Sequence, residues 1–184
     1  MNGRYLELPN FIRLDDLDRL KEIAPLHCKK EPASAKCEGK SADTYIINPS
    51  DHRDLEWIRE VYWFGWTKIT TELGYELYPM DMPKFAVYNI YEPGGSYPWH
   101  IDVSPSQEVF SDIKMTMVIN ASVKPYEDGD FHVAFDKVED THVKFMDEPG
   151  SAILFRSQSL HRVAPVTSGE RRSLTLFFSG PRWR

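Results

Sequence analysis

The chain has few cysteines, no long apolar run and no excess of basic residues, and each of these features excludes a class of protein. Only two of its 184 residues are cysteines, Cys28 and Cys37, which excludes a disulfide-rich secreted scaffold, and we expect free thiols. Residues 1–5 contain no apolar signal core, and no run approaches the roughly 20 apolar residues needed to cross a bilayer. These features predict a cytoplasmic protein without a membrane partner.

The charge balance is acidic, with 22 basic residues against 28 acidic ones and a net charge of -6. Nucleic-acid-binding domains usually present a basic face to the phosphates, so we expect no nucleic-acid partner. The length suits one domain over residues 1–184, and 41% hydrophobic residues are enough to fill its core. Nothing in the composition predicts an oligomeric state.

Two patterns divide the chain. In residues 1–83, apolar residues at three-residue spacing from Leu14 to Ile23 predict one amphipathic helix. A second helix is predicted to begin after Asp51 and to run to Gly74, and residues 27–43 read as a loop. In 84–181, short β-type runs are separated by turn residues, which predicts strands near 84–91, 97–102, 113–120, 130–135, 141–145, 151–155, 161–166 and 171–178. We therefore predict an α+β, mainly β fold: a double-stranded β-helix (jelly-roll) barrel braced by N-terminal helices.

Three residues can supply one metal site. Alternate residues of a strand point the same way, so His100 and Asp102 can bind one ion while Ile101 faces the opposite side. With the distant His161 they offer two imidazoles and one carboxylate, a set that suits Fe(II) with open positions for oxygen chemistry. The other histidines are expected to be surface or structural residues: His27, His52, His132 and His142.

The surroundings of these residues form an ordered series of segments. A tyrosine-containing, glycine-turned segment, 91–102, leads to the first two candidate ligands, and the segments 119–120, 127–131, 149–155, 161–166 and 169–174 follow. In this order they resemble the Fe(II)/2-oxoglutarate-dependent dioxygenases, particularly the prolyl-4-hydroxylase-like branch with bacterial and phage members. The resemblance covers about residues 84–181. It implies Fe(II) held by His100, Asp102 and His161 as the catalytic centre, 2-oxoglutarate and O2 as cosubstrates, and ascorbate as a candidate reductant.

A carboxylate anchor for the cosubstrate can be argued from the last predicted strand. Alternation places Arg171 on the same face as two hydroxyl side chains, Ser173 and Thr175, whereas Arg172 shares its face with apolar residues. A planar guanidinium binds a carboxylate through paired hydrogen bonds, and the family pattern also falls on Arg171. We therefore predict Arg171, helped by Ser173, as the group that binds 2-oxoglutarate.

Four further residues are candidates around this site. The phenol of Tyr91 can reach the cosubstrate, and Tyr97 and Trp99 can line the substrate entrance, although ordinary strand aromatics are an equal alternative for the tyrosines. Val118 stands where certain prolyl hydroxylases have a tyrosine that helps to hold the cosubstrate. Thr116 is therefore a candidate to share that work with Arg171.

The resemblance implies hydroxylation of an unactivated C–H bond with release of succinate and CO2. The expected substrate is a protein or peptide, with a peptidyl proline as the target. One alternative is the same chemistry on a free amino acid or other small molecule, and another is a non-catalytic barrel that binds a metal or ligand. A nucleic-acid demethylase has little support from the acidic balance. The polar segment 103–112 could close over a peptide together with the loop at 27–43, or could be an ordinary connection.

Overall fold

A computed structural model of the chain describes residues 5–31, 39–50, 52–78, 86–102, 111–134 and 141–182. Its two helices are α1 (Leu14–His27) and α2 (Trp57–Thr71), and short 3-10 turns cover Arg53–Leu55 and Lys144–Asp147. The strands are β1 (Tyr5–Leu8), β2 (Lys29–Lys30), β3 (Asp43–Ile47), β4 (Ala86–Tyr91), β5 (Tyr97–His100), β6 (Ser111–Asn120), β7 (Tyr126–Asp128), β8 (Phe131–Ala134), β9 (Thr141–His142), β10 (Ala152–Arg156), β11 (Leu160–Val163), β12 (Val166–Gly169) and β13 (Arg171–Pro181).

Both helices form where the apolar periodicity predicts them. Helix α1 buries Leu17, Leu20 and Ile23, and it carries two aspartates in its first turn, where carboxylates interact favourably with the helix dipole. Helix α2 ends at Thr71, and the chain then passes through Gly74, whose positive φ of 71° is readily adopted by glycine. The apolar faces of the helices pack on one side of a large sheet.

The strands form two larger antiparallel sheets. The major sheet has seven strands in the order β1-β10-β6-β13-β4-β3-β2, and the minor sheet has four in the order β5-β11-β8-β9. Strand alternation divides the core in two: Met117 on β6 faces the helices, whereas Val118 faces the minor sheet. The second core cluster, which includes Phe131, Phe155 and Val163, fills the space between the sheets. The predicted mainly β α+β fold, braced by two helices, is confirmed.

Several boundaries differ from the prediction. Strands β1, β2 and β3 were not predicted, and β2 lies within the predicted loop 27–43. They extend the major sheet at its two edges, so that part of 1–83 shares a sheet with 84–181. The predicted strand 97–102 ends at His100, and 161–166 contributes to two strands, β11 and β12. In the predicted loop 103–112, residues 111–112 belong to β6 and residues 103–110 lie outside the described part.

Two smaller findings concern the cysteines and the helices. Cys28 forms no disulfide within the described residues, and Cys37 lies outside them. Neither helix in the described part of the chain has the length and apolar character needed to cross a membrane. The assignment of residues 1–184 to one domain stays a prediction.

Candidate active site

The structure brings His100, Asp102 and His161 together. His100 ends β5 and lies directly opposite His161 on the neighbouring strand β11. Asp102 Oδ2 is 3.5 Å from His161 Nε2, and Asp102 Oδ1 is 3.9 Å from His100 Nε2. One nitrogen or oxygen from each of the three residues lies within 4.8 Å of the others. This spacing allows all three side chains to bind one metal ion.

Hydrogen bonds orient all three side chains. Nδ1 of His100 donates to the carbonyl of Pro98 at 2.8 Å, and Nδ1 of His161 donates to the carbonyl of Ser159 at 3.0 Å. These bonds fix the tautomers and leave each Nε2 with a lone pair for a metal. Thr116 donates its hydroxyl proton to Asp102 Oδ2 at 2.7 Å.

Burial controls the ionisation of the trio. It lowers the pKa of His161 to about 4, and burial together with the neighbouring His161 lowers the pKa of His100 to about 4 as well. Both imidazoles are therefore neutral at pH 7, as metal binding requires. Burial raises the pKa of Asp102, and the hydrogen bond from Thr116 opposes that rise. A divalent cation would compensate the buried carboxylate, so the trio suits a metal ion electrostatically as well as by its donor atoms.

A cavity of about 310 Å³ opens beside the trio. Tyr91 and Ser173, both almost fully buried, form part of its wall. Arg171 lies next to Tyr91, with its guanidinium carbon 5.5 Å from the centroid of the tyrosine ring. Gly129 has a positive φ of 73°, and a Cβ at this position would lie 3.0 Å from Arg171 Cδ. Glycine at position 129 therefore also leaves room for the Arg171 side chain.

The two candidate arginines lie on opposite faces of β13, as strand alternation predicts. Arg172 donates to the hydroxyl of Tyr88 at 2.8 Å and to the carboxylate of Glu170. Arg171 is 1% exposed, yet its Nε, Nη1 and Nη2 atoms have no hydrogen-bond partner among the described residues. Buried polar groups are normally hydrogen-bonded, so these three nitrogens indicate that the guanidinium could pair with an anionic ligand.

The two predicted entrance aromatics lie in different places. Tyr97 lines the cavity and stacks on the His100 ring at a centroid distance of 3.6 Å. The Trp99 ring lies instead 4.9 Å from the guanidinium of Arg162 and 6.4 Å from the His132 ring. Ile101, expected to face away, borders the same cavity as Tyr97.

An irregular strand pairing explains these positions. His161 pairs with His100, but Val163 pairs with Tyr97, so two steps on β11 correspond to three steps on β5. An extra residue of this kind is a β-bulge, and it changes which side chains share a face. Because β5 also ends at His100, simple alternation does not account for the position of Asp102. Its backbone N–H instead donates to the carbonyl of Ser157 at 2.8 Å.

Sequence reasoning missed three polar residues at the cavity, Glu31, Lys40 and Asn89. Asn89 is two residues before Tyr91 on β4, so strand parity with Tyr91 was a signal that could have found it. Lys40 Nζ lies 5.1 Å from the centroid of the Tyr97 ring. It falls in a segment predicted as a loop, where no periodicity indicates the direction of a side chain.

A second group of possible metal ligands comprises Asp130, His142 and Asp147. His142 was expected to be a surface or structural residue. Its Nε2 donates to Asp147 Oδ1 at 2.9 Å and lies 3.6 Å from Asp130 Oδ1. The side chains are between 27% and 46% exposed, and a surface hydrogen bond between imidazole and carboxylate accounts for the contact.

Comparisons with known proteins agree with this geometry. The family model for the 2OG-Fe(II) oxygenase superfamily matches residues 84–179. A PKHD-type hydroxylase from Sphingopyxis alaskensis is 33% identical over 85 residues, which cover 44% of this chain and 37% of the relative. The match to a second PKHD-type hydroxylase, from Stenotrophomonas maltophilia, covers 38% of that relative. The chain thus spans about two fifths of the length of these curated relatives.

Two solved structures share the fold over nearly their whole length. A prolyl-4-hydroxylase from Pseudomonas putida has a TM-score of 0.74 at 17% identity, with 98% of this chain and 95% of that chain covered. The viral collagen prolyl hydroxylase from Paramecium Bursaria Chlorella virus-1, in its 2OG complex, has a TM-score of 0.65 at 18% identity and covers 96% of each chain. These likenesses confirm the predicted jelly-roll fold. Because the family match extends over slightly more than half of the sequence, the chain belongs to the 2OG-Fe(II) oxygenase superfamily.

Proposed function

We propose that this protein is an Fe(II)- and 2-oxoglutarate-dependent hydroxylase whose iron ligands are His100, Asp102 and His161. The donor set supports this role, because the donor atoms of two neutral imidazoles and one carboxylate lie within 4.8 Å of one another. Three protein ligands of this kind leave other positions of an iron ion open, as oxygen chemistry requires. When bound, the metal and its cosubstrates supply the oxidising chemistry that consumes O2 and releases succinate and CO2.

The observation that carries the proposal is the buried guanidinium of Arg171. Its three nitrogens have no hydrogen-bond acceptor in the described part of the chain, and leaving such a group unpaired is costly. The far carboxylate of 2-oxoglutarate would satisfy it through paired hydrogen bonds. Ser173 and Tyr91 offer hydroxyl groups beside it. A non-catalytic metal-binding barrel gives no reason for an unpaired buried arginine against Tyr91 in the wall of the cavity.

The protein's own contribution is to orient ligands and to exclude water. Hydrogen bonds to Pro98 and Ser159 direct the two imidazoles, and Thr116 holds one oxygen of Asp102. Phe131 and Phe155 lie against His161, with ring centroids 6.0 and 4.9 Å away. This apolar surrounding keeps bulk water from one side of the site, and we propose that it limits side reactions of the oxidising centre.

For the substrate, we propose a peptidyl proline. The support is the prolyl hydroxylase identity of both fold neighbours, together with apolar side chains that line the cavity, such as Ile46, Ile101 and Phe177. These side chains are suited to a pyrrolidine ring. A free amino acid is the second candidate, because Lys40 and Glu31 also line the cavity. A cation and a carboxylate together would complement the two charged groups of a free amino acid.

Anaerobic titration tests the cofactor assignment. Fe(II) is added to the metal-free protein, followed by 2-oxoglutarate, and the visible metal-to-ligand absorption band of the chelate is recorded. We expect the band in the wild type and its loss in His161→Ala. A well-folded wild-type protein that binds Fe(II) without developing the band would favour the non-catalytic alternative.

The substrate assignment needs a separate assay. Succinate formation is compared for proline-containing peptides, free proline and other amino acids, with and without ascorbate, and mass spectrometry detects an added oxygen atom. We expect coupled turnover and an oxygenated product with a peptide. Coupling to a free amino acid alone would replace the peptidyl assignment by the small-molecule one. The cytoplasmic location stays a prediction.

A further inference from the structure

Three buried polar side chains form a row across the major sheet. Thr44 on β3 pairs in register with Asn89 on β4, which pairs with Ser173 on β13. Thr44 Oγ1 donates to Asn89 Oδ1 at 3.0 Å, and Asn89 Nδ2 donates to Ser173 Oγ at 3.4 Å. All three are at most 4% exposed. The row therefore connects the distal strand β3 to the wall of the cavity.

Packing alone does not explain these polar residues. The adjacent row on the same face contains Thr175, Val87 and Ile46, which pair in the same way across the same three strands. There, β-branched side chains fill all three positions and two of them are apolar, as usual for a buried sheet. A buried asparagine, by contrast, has to find partners for both ends of its amide. The presence of Asn89 next to Ser173 therefore indicates a role beyond packing.

The direction of the hydrogen bonds defines the role of Asn89. A serine hydroxyl has one proton to donate and two lone pairs that accept. Because Asn89 donates to Ser173, it occupies a lone pair and leaves the proton of Ser173 available for another acceptor. Ser173 also shares a hydrogen bond with Tyr91, whose ring lies over the guanidinium of Arg171. When Tyr91 donates its phenol proton to the second lone pair of Ser173, the proton of Ser173 stays available beside the unpaired arginine.

We propose that Asn89, oriented by Thr44, is a positioning residue that directs the hydroxyl proton of Ser173 toward the far carboxylate of 2-oxoglutarate. The inference rests on the proposed function. Thr44 matters because its hydroxyl holds the oxygen end of the amide and turns the nitrogen end toward Ser173. A flipped amide would accept the proton of Ser173 and remove a donor from the carboxylate.

The test is a double-mutant cycle on 2-oxoglutarate binding, measured anaerobically on the Fe(II)-loaded protein by its visible band. Asn89→Ala should weaken binding about two- to tenfold, the range of one neutral hydrogen bond. In a Ser173→Ala background the same change should have no further effect, since Asn89 acts through that hydroxyl. Asn89→Asp should weaken binding more strongly, because its carboxylate takes the proton of Ser173 and repels the ligand.

Two further variants control for damage to the fold. Thr44→Val keeps a similar shape and should weaken 2-oxoglutarate binding in the same two- to tenfold range, from the far end of the row. Tyr45→Phe removes a hydroxyl from the next residue, which packs on the helix side of the sheet, and should leave binding unchanged. The Fe(II) affinity and Tm of each variant are recorded alongside. If Asn89→Ala proves too unstable to titrate, Thr44→Val decides the question.

The outcomes separate the two proposals. The positioning role would be overturned if Asn89→Ala weakened 2-oxoglutarate binding equally with and without Ser173. It would also be overturned if both Asn89→Ala and Thr44→Val left that binding unchanged. Wild-type protein that binds Fe(II) but not 2-oxoglutarate would refute the proposed function itself, and the inference with it. Weaker binding confined to proteins that retain Ser173, with unchanged Fe(II) affinity, supports the inference.

Discussion

Replacing Arg171 by methionine should stabilise the metal-free protein while it weakens 2-oxoglutarate binding. The guanidinium is 1% exposed, and its three nitrogens lack hydrogen-bond partners in the described structure. An unsatisfied buried polar group costs about 1–3 kcal/mol, and more when it is charged. The Tyr91 ring offsets about 0.5–2 kcal/mol of this cost through a cation–π contact. Methionine fills similar space without the charge, so we expect the free energy of unfolding of the metal-free protein to rise by about 1–2 kcal/mol.

The effect on the cosubstrate has the opposite sign. Removing one partner of a buried charge pair costs about 2–5 kcal/mol, so 2-oxoglutarate should bind at least about 30-fold more weakly. Arg172→Met is the matched control, because it removes the same group from the next residue on the other face of β13. It breaks hydrogen bonds to Tyr88 and Glu170 and should destabilise the fold by about 1–3 kcal/mol. Binding of 2-oxoglutarate should change little.

Urea unfolding of the metal-free proteins and anaerobic titration of the Fe(II) proteins measure the two effects separately. A change of 1 kcal/mol corresponds to about 2–4 °C in Tm for a chain of this size. The reasoning fails if Arg171→Met destabilises the metal-free protein as strongly as Arg172→Met does. A larger loss of 2-oxoglutarate binding in Arg172→Met would show that the wrong face of β13 had been assigned to the cosubstrate.

Three other predictions concern the proposed iron ligands. His161→Ala should abolish succinate formation and lower iron content while Tm changes little, and wild-type activity would remove His161 from the site. Thr116→Val should weaken Fe(II) binding about 10- to 100-fold, measured by titration, because Asp102 loses its orienting donor. The metal-free protein should lose stability as pH falls from about 6.5 to 4, because burial lowers the pKa of both His100 and His161 to about 4. The unfolded chain then binds more protons in that window, an effect that the raised pKa of Asp102 opposes. His161→Phe should make the free energy of unfolding, measured with urea, depend less steeply on pH between pH 7 and pH 5.

The structure could be predicted from the sequence most reliably where a strand is long and regular. Strand β13 runs without interruption from Arg171 to Phe178, so alternation correctly separated Arg171 from Arg172. The helices could be predicted equally well, because the apolar stripe of α1 has the period of a helix. In both cases the local pattern and the final packing demand the same arrangement, and no distant contact is needed to infer it.

The N-terminal strands were missed because tertiary pairing defines them. Strand β2 consists of Lys29 and Lys30 alone, and no local pattern marks two lysines as a strand. Strand β3 (Asp43–Ile47) has the β-branched and aromatic residues typical of strands, so its sequence did contain a signal. Its position between β2 and β4 brings Thr44 next to Asn89. The polar row at the cavity therefore depends on an element that the prediction left out.

The bulge in β5 shows that residues predicted to meet by strand alternation can come together for a different geometric reason. Regular alternation would place Tyr97 on the face opposite to His100, since the two residues are three positions apart. The extra residue reverses this parity, so the Tyr97 ring stacks on the metal-ligand candidate and Trp99 packs beside Arg162. Asp102 joins the site after the strand has ended, through its backbone bond to Ser157. The position of each side chain thus depends on pairing with β11 and on a loop contact, both of which involve residues about 55 to 66 positions away in the sequence.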